Sequence, residues 1–279
     1  MPGFSGGLRK MRVAIDDADA AVAQYTLVLG EHELPLNELV GKPFTLNYEG
    51  AIHCIHCNRK TSKSFNQGYC YPCFRSLAQC DQCIVSPEKC HYHLGTCREP
   101  EWADKFCMQD HYVYLANSSG LKVGITRGNQ IPTRWIDQGA VQALPLFRVT
   151  SRRMAGMVET LCKAHVADKT NWRAMLKGVP EPVDLQGEAR TLLGSIKHEL
   201  AELHKEFGIQ AITELDSAEP VNIAYPVLAY PAKVTSHNFD KNPQVAGQLQ
   251  GIKAQYLIFD TGVINLRKFG GYQVSAEFG

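Results

Sequence analysis

The distribution of cysteine is the feature that most constrains how this chain can fold. Nine of the ten cysteines in its 279 residues lie between positions 54 and 107, in a stretch with few aliphatic side chains. Such a segment needs a cross-link in place of a hydrophobic core. Two C-x2-C pairs, twelve residues apart, have the spacing of a zinc ribbon, in which each pair gives two thiolates to one tetrahedral ion. The sequence therefore predicts a structural zinc site formed by Cys54, Cys57, Cys70 and Cys73.

A second group of metal ligands follows directly. Cys80 and Cys83 form a third C-x2-C pair, and we expect the site to be completed by Cys90 and Cys97, because the six-residue spacings are even. Two other side chains compete for this role, His93 and Cys107. Thioredoxin-like dithiols occur singly, so repeated pairs favour zinc over redox chemistry. The chain is therefore expected to bind two structural zinc ions.

The rest of the sequence predicts a mixed α+β fold. Residues 25–29 and 44–49 have the apolar pattern of strands. Near the C-terminus, residues 254–266 predict a β-hairpin around an Asp-Thr-Gly turn. Residues 188–207 place apolar side chains on one helical stripe that ends at Gly208, and the polar side of this helix is acidic.

These patterns divide the chain into five segments. They are a β segment (1–50), a zinc-binding module (51–110), a small central α/β domain (111–180), a helical segment (181–220) and a second β segment (221–279). Neither β segment is large enough to be an obvious domain alone. We therefore expect the two ends of the chain to pack into one small β unit.

The composition argues against a membrane protein and indicates a basic central domain. No apolar run approaches the roughly 20 residues of a membrane helix and the start lacks a secretory signal, so the cytoplasm is the expected location. The net charge is +1, but residues 111–180 carry ten lysines and arginines against three acidic residues. Residues 181–220 reverse this balance, with nine acidic residues against three basic ones. Such a split is typical of a polyanion-binding domain or of two oppositely charged surfaces that pack together.

The central segment predicts a strand, a polar turn and a second strand over residues 112–127, followed by a loop to Arg134. A predicted helix downstream carries Glu159 next to its apolar stripe. In this order the elements resemble the GIY-YIG nuclease superfamily. Its first tripeptide corresponds to residues 112–114 (Tyr-Val-Tyr) and its second to residues 122–124 (Lys-Val-Gly).

The resemblance extends over residues 111–173 and implies a nuclease-like α/β domain that hydrolyses phosphodiester bonds. It implies that Tyr114 acts as the base near the attacking water, or organises it, and that Arg134 contacts the phosphoryl oxygens. A helix-borne glutamate binds one Mg²⁺ in the superfamily, a role that falls to Glu159, and Asn171 fits the stabilising asparagine. The overall layout is also similar to that of an uncharacterised bacterial family known only as a domain of unknown function.

Lys122 departs from the superfamily pattern, because the superfamily usually has its second active tyrosine at this position. Lysine has no phenol to serve as a base, but its ammonium can pair with phosphate. Further contacts with nucleic acid are expected from basic and aromatic side chains around the centre. These are Arg127, Arg152, Arg153 and Trp135.

Three functions are compatible with these patterns. The first is a Mg²⁺-dependent endonuclease, in which the zinc module binds DNA or RNA while the central domain cuts it. The second is a catalytically inactive nucleic-acid-binding protein, with basic side chains on phosphates and aromatic ones on bases. The third is a zinc-stabilised scaffold for protein interactions. No membrane partner is expected.

Overall fold

The computed structural model describes residues 3–16 and 21–279 of the chain. They form a mixed α+β structure, as the sequence predicts. The strands are β1 (Gly3–Gly7), β2 (Arg12–Asp16), β3 (Val22–Leu29), β4 (His32–Pro35), β5 (Pro43–His53), β6 (Lys60–Thr61), β7 (His111–Asn117), β8 (Leu121–Arg127), β9 (Gln142–Val149), β10 (Ile212–Glu214), β11 (Val221–Asn222), β12 (Gln244–Lys253), β13 (Tyr256–Phe259), β14 (Gly262–Asn265) and β15 (Tyr272–Phe278). The helices are α1 (Tyr71–Ser76), α2 (Pro100–Phe106), α3 (Thr133–Asp137), α4 (Arg152–Lys163), α5 (Trp172–Met175) and α6 (Leu185–Phe207).

Strands from both ends of the chain share one antiparallel sheet, which we call the terminal sheet. Its order is β1-β15-β5-β12-β13-β14, and β6 pairs with the end of β5. Leu46 on β5 lies opposite Ala276 of β15 on one side and Val245 of β12 on the other. These three side chains are buried in one hydrophobic core, to which the small sheet β2-β3-β4 also contributes. The core therefore depends on residues more than 200 positions apart in sequence.

A second sheet, the central sheet, has the order β10-β9-β7-β8, with β11 beside β9. The predicted hairpin is confirmed as β7 and β8. Both faces are covered, because β7 alternates two sets of apolar side chains. Val113 and Leu115 pack toward α4, whereas Tyr114 and Ala116 pack with Trp135 against the core of the terminal sheet. The central sheet is therefore a layer between helices and the terminal sheet.

Two helices cover the outer face of the central sheet. α4 begins at Ser151, whose Oγ accepts a hydrogen bond from the backbone N–H of Met154 at 3.2 Å. α6 begins after Asp184, which accepts from the N–H of Gly187 at 2.9 Å, and ends as predicted at Gly208, where φ is 84°. The predicted stripe is buried at Leu192, Ile196 and Leu200. None of the helices in the described residues has the length and apolar character needed to cross a membrane.

The cysteine-rich segment lies between the two sheets in sequence. It contains the short helices α1 and α2, and several three-residue 3₁₀ turns separate them. Its buried hydrophobic cluster is small and consists mainly of cysteines: Cys54, Cys70, Cys73, Leu77 and Cys80. So little apolar burial gives the segment little stability of its own, as expected of a module that folds around metal.

A buried hydrogen-bond network connects α3 to the terminal sheet. The side chain of Asp137 is 4% exposed, forms an ion pair with Lys10 and accepts a hydrogen bond from Gln255 Nε2 at 2.9 Å. The Gln255 side chain also bonds both backbone groups of Met11, accepting from its N–H at 2.9 Å and donating to its carbonyl at 3.2 Å. Three distant parts of the chain therefore meet at one carboxylate.

We expect Asp137→Ala to lower the free energy of unfolding by about 2 kcal/mol, because Lys10 and Gln255 lose their shared acceptor in a buried position. Urea denaturation of the full chain measures this loss. Asp137→Asn keeps an acceptor for Gln255 and should cost less. If Asp137→Ala unfolded with the wild-type free energy, the network would not connect α3 to the sheet.

Candidate metal centre and nucleic-acid interface

The four cysteines of the predicted zinc ribbon converge on one point. The sulfur atoms of Cys54, Cys57, Cys70 and Cys73 lie within 4.8 Å of one another, and those of Cys57 and Cys70 are 3.7 Å apart. A tetrahedral zinc ion with Zn–S bonds of about 2.3 Å places its sulfurs about 3.8 Å apart. The cluster therefore has the donor set and the dimensions to hold one zinc ion.

Backbone turns direct the two pairs of thiols toward each other. The N–H of Asn58 donates to Cys54 O at 2.9 Å, and the positive φ of Asn58, 57°, closes the first turn. A turn between the two pairs includes Gly68, whose carbonyl accepts from the N–H of Ile55 at 2.8 Å. The second pair begins at Cys70, the residue that precedes α1. Each pair therefore has its own short turn, as in a zinc knuckle.

Hydrogen bonds prepare one of the thiols for metal. Burial raises the pKa of Cys54, but hydrogen bonds from the backbone of Cys57, Cys70 and His56 outweigh this effect and lower the pKa to about 6. The Cys54 side chain is therefore a thiolate at neutral pH, the form that binds cations. Burial raises the pKa of Cys73, so this thiol gives up its proton in exchange for a metal ion.

The second set of ligands is arranged differently from the sequence-based expectation. In the described residues, Cys83 shares a ligand-sized cluster with Asp81 and His91, whose donor atoms lie within 4.8 Å of one another. The expected or competing ligands outside this cluster are Cys80, Cys90, Cys97, His93 and Cys107. Burial raises the pKa of Cys83 to about 11, and negative charge on Asp81, Cys90 and Cys107 adds to this effect. Cys90 and Cys107 are therefore close to Cys83 without joining its cluster.

Tyr114 lies in the packed layer between the two sheets. Its ring meets Trp135 edge-on with 6.0 Å between centroids, and its hydroxyl donates to Gln138 Oε1 at 3.0 Å. Across the hairpin, Gly124 leaves the space that the ring fills, because a Cβ at this position would lie 2.8 Å from the Tyr114 hydroxyl oxygen. Burial raises the pKa of Tyr114 to about 12, although the charge of Arg134 acts to lower it. The side chain is a neutral phenol at physiological pH.

Lys122 is buried on the same hairpin. The residue is 4% exposed, and its Nζ donates to Thr170 Oγ1 at 3.1 Å. Burial lowers the pKa of Lys122 to about 8; the positive charge of Arg134 acts in the same direction and the negative charge of Glu159 opposes it. Arg134 and Glu159 also shift the pKa of Tyr114. Four of the predicted catalytic residues therefore lie within electrostatic range of one another.

Glu159 is paired with a lysine one helical turn away. The residue is 8% exposed, and its Oε2 lies 3.1 Å from Lys163 Nζ, which is also 3.5 Å from Asp168. Burial raises the pKa of Glu159, whereas Lys163 acts to lower it. Asn171, the fifth predicted residue, caps α5, because its Oδ1 accepts from the N–H of Ala174 at 3.2 Å.

A cleft of about 620 Å³ opens where the cysteine-rich segment, the central sheet and the terminal sheet meet. Among its described lining residues, the one acidic side chain is Asp137, which is already paired with Lys10. Five arginines complete the basic lining: Arg9, Arg127, Arg134, Arg152 and Arg267. In the part of the chain that the structure describes, none of these arginines forms an ion pair. We call this feature the basic cleft.

Three of the arginines in the basic cleft also contact the cysteine-rich segment. Each donates one hydrogen bond: Arg9 to Ile55 O at 2.9 Å, Arg267 to Gln67 Oε1 at 2.5 Å and Arg152 to Ile84 O at 2.6 Å. A guanidinium has five N–H donors, so each of these arginines keeps donors that these contacts do not use. These hydrogen bonds fix the positions of the side chains before any ligand binds.

Three residues expected to contact nucleic acid lie outside the basic cleft. Arg153 follows Arg152 on α4 but turns toward α6, where its guanidinium is 5.8 Å from the centroid of the Phe207 ring. Trp135 is 2% exposed, so its indole has no open face on which a base can stack. Lys122 is also absent from the described lining, whereas Arg127 and Arg152 are part of it.

Sequence reasoning did not select four residues of these sites. Arg9 and Arg267 reach the basic cleft through the terminal sheet, and no spacing pattern connects them with the central hairpin. Asp81 and His91 flank predicted cysteine ligands, and the mixed Asp, Cys and His composition of the segment was the only signal for them.

A family model matches residues 41–274 of the chain. That model describes a protein of unknown function, DUF2797. The chain belongs to this family. No curated protein and no solved structure matches the chain. Membership in DUF2797 thus places the cysteine cluster and the central sheet in one family unit and assigns no activity to them.

We expect the Lys122→Met variant to be more stable than the wild type at pH 7 and to lose this advantage as the pH rises. Because the folded-state pKa of Lys122 is about 8 and its ordinary value is 10.5, the unfolded chain binds the proton more tightly between these values. Wild-type stability relative to Lys122→Met should therefore increase by about 2 kcal/mol from pH 7 to pH 10. Urea denaturation of both proteins at each pH measures the difference.

The exposed Lys177→Met variant is the matched control and should show no such pH dependence. A stability difference between Lys122→Met and wild type that stays constant from pH 7 to pH 10 would contradict the lowered pKa.

Proposed function

We propose that this protein binds nucleic acid in the basic cleft, with a zinc-stabilised module as one wall. One observation carries the proposal: five arginines without a carboxylate partner line the same cleft in the described residues. Clustered, unpaired positive charge is costly because the side chains repel one another, and a polyanion removes that repulsion. Phosphate groups also match the planar donor arrangement of arginine.

The charge distribution favours neutralisation of the basic cleft by a bound polyanion over neutralisation by the acidic segment of the protein itself. The basic segment 111–180 and the acidic segment 181–220 do not form an ion pair with each other within the described ranges. The acidic helix α6 packs against α4 through its apolar stripe. The basic side chains of the cleft are therefore not neutralised by the acidic segment, and neutral amides such as Asn66, Gln67, Gln79 and Gln130 complete the polar lining.

We expect the double variant Arg127→Gln/Arg134→Gln to bind oligonucleotides at least tenfold more weakly than the wild type at about 0.1 M salt, because each arginine neutralises a phosphate. The slope of log K against log salt concentration should fall by about 0.7 to 0.9 for each phosphate that the variant no longer neutralises. Fluorescence anisotropy with labelled DNA and RNA, in single-stranded and duplex forms, measures both quantities.

Arg153→Gln is the matched control, because Arg153 lies on the same helix as Arg152 but outside the cleft. It should bind as the wild type does. The proposal fails if the double variant keeps full affinity, or if wild-type binding is insensitive to salt.

A second candidate function, Mg²⁺-dependent cleavage of the bound strand, is favoured by a specific observation. Tyr114, Lys122, Arg134 and Glu159 lie within electrostatic range of one another, and Arg134 lines the basic cleft. In this function Arg134 would bind the scissile phosphate and Glu159 would hold the cation. Mg²⁺ would supply charge neutralisation on the phosphate and a water of lowered pKa.

Two features restrict this second function. Tyr114 is fully buried and its hydroxyl is already bonded to Gln138, so it can act on a substrate only through its neighbours. Glu159 is neutralised by Lys163 at 3.1 Å, and a carboxylate in an ion pair binds Mg²⁺ less well than a free one. Nucleic-acid binding without cleavage is therefore the function that we place first.

Lys163→Met separates the two candidates. If the centre is a nuclease, removing the Lys163 ammonium should free Glu159 and raise Mg²⁺-dependent nicking of plasmid DNA or RNA several-fold. Glu159→Gln should abolish nicking in either background. Agarose-gel assays with Mg²⁺ or with EDTA measure the activity, and Lys177→Met is the control for a changed net charge. Absence of cleavage in both wild type and Lys163→Met would exclude the nuclease function.

A further inference from the structure

We propose that Asp81, Cys83 and His91 form a second zinc site, of mixed oxygen, sulfur and nitrogen ligands. Their donor atoms lie within 4.8 Å of one another, and all three side chains are partly buried. His91 Nε2 is 3.6 Å from Asp81 Oδ2, close to the separation of about 3.3 Å between two light-atom ligands of a tetrahedral zinc ion. This ligand set differs from the all-cysteine set that the spacing predicts.

The hydrogen bonds of His91 select the ring nitrogen that faces the cluster. Its Nδ1 lies 2.8 Å from Thr96 Oγ1, and that hydroxyl donates its own proton to the His91 carbonyl at 3.2 Å. The threonine oxygen can therefore only accept from the ring, so Nδ1 carries the proton and Nε2 presents a lone pair toward Asp81 and Cys83. A histidine that binds metal through one ring nitrogen usually donates a hydrogen bond from the other ring nitrogen to a fixed acceptor.

Asp81 is held in a similar way. Arg98 Nε donates to Asp81 Oδ2 at 2.6 Å, and Arg98 Nη1 is anchored on the carbonyls of Phe74 and Leu77, each at 3.3 Å. Carboxylates that bind metal are commonly oriented by such a second hydrogen bond. Arg98 already neutralises part of the Asp81 charge, so a Zn²⁺ ion would mainly neutralise the Cys83 thiolate and remove the repulsion between the Asp81 carboxylate and the His91 lone pair.

The surrounding segment also needs a cross-link. Residues 78–94 contain four 3₁₀ turns of three residues each, at Ala78–Cys80, Gln82–Ile84, Pro87–Lys89 and Tyr92–Leu94. Two of its large apolar side chains face solvent, since Val85 is 80% exposed and Leu94 is 66% exposed. The turn at Pro87–Lys89 packs against α4. A metal bound by Asp81, Cys83 and His91 would cross-link the chain before this turn to the chain after it.

The segment that carries the proposed zinc site also forms part of the basic cleft. Ile84 and Val85, directly after Cys83, line the basic cleft, and the carbonyl of Ile84 accepts the hydrogen bond from Arg152. The next turn lies against α4, where a Cβ on Gly156 would be 2.5 Å from the Glu88 nitrogen. A second zinc ion would therefore fix the wall of the cleft that contacts the central domain.

Zinc content of the purified full-length chain tests the site. Elemental analysis should give two zinc ions per wild-type chain and one per chain in Asp81→Ala and in His91→Ala, since the four-cysteine site remains. His93→Ala is the matched control, because His93 lies in the same turn but outside the cluster, and it should keep two ions. One zinc ion per wild-type chain, or two in His91→Ala, would overturn the proposal.

The ligand types can be read without any substitution by cadmium-113 NMR of the exchanged wild-type protein. We expect two resonances, one at the shift of a four-thiolate site and one far upfield, as for a site with a single thiolate and nitrogen and oxygen ligands. A second resonance at the shift of two or more thiolates would overturn the proposal in favour of the cysteine set. Both measurements are made without nucleic acid, so their outcome does not depend on the proposed binding function.

Discussion

Burial of the central sheet on both faces is the constraint on which the rest of the structure depends. α4 covers one face through Val113 and Leu115, and the terminal sheet covers the other through Tyr114 and Trp135. Polar side chains of the hairpin are enclosed as a result, which is why Lys122 has a lowered pKa. Open, charged surface is left at the end of β8, where Arg127 enters the basic cleft. The location of the cleft thus follows from how the layers pack.

Local chemistry made part of this architecture predictable. Cysteine spacing identified the ligands of the first metal site because a knuckle turn fixes which positions converge, and the apolar stripe of residues 188–207 identified α6 because helical period and burial coincide. The contribution of Arg9 and Arg267 to the cleft was not predictable, since only the pairing of strands from both ends of the chain brings them there. For the same reason, Trp135 gave no sign in sequence that it would be buried.

The cysteine-rich segment and the two sheets depend on one another. The segment has a small core, and it is held by arginines from α4 and from the loops next to strands of the terminal sheet. The same arginines supply the charge of the basic cleft. Metal binding, folding of the segment and the geometry of the cleft are therefore coupled through side chains that have both a structural and an electrostatic role.

Gly124 has a consequence for how such chains are classified. The glycine makes room for the Tyr114 ring across the hairpin, so this pair is required by packing whether or not any bond is cleaved nearby. A sequence can therefore keep the tripeptide pattern that includes Gly124 without the catalytic activity that is associated with the pattern. The glycine therefore reports on the packing of this hairpin and carries no information about cleavage.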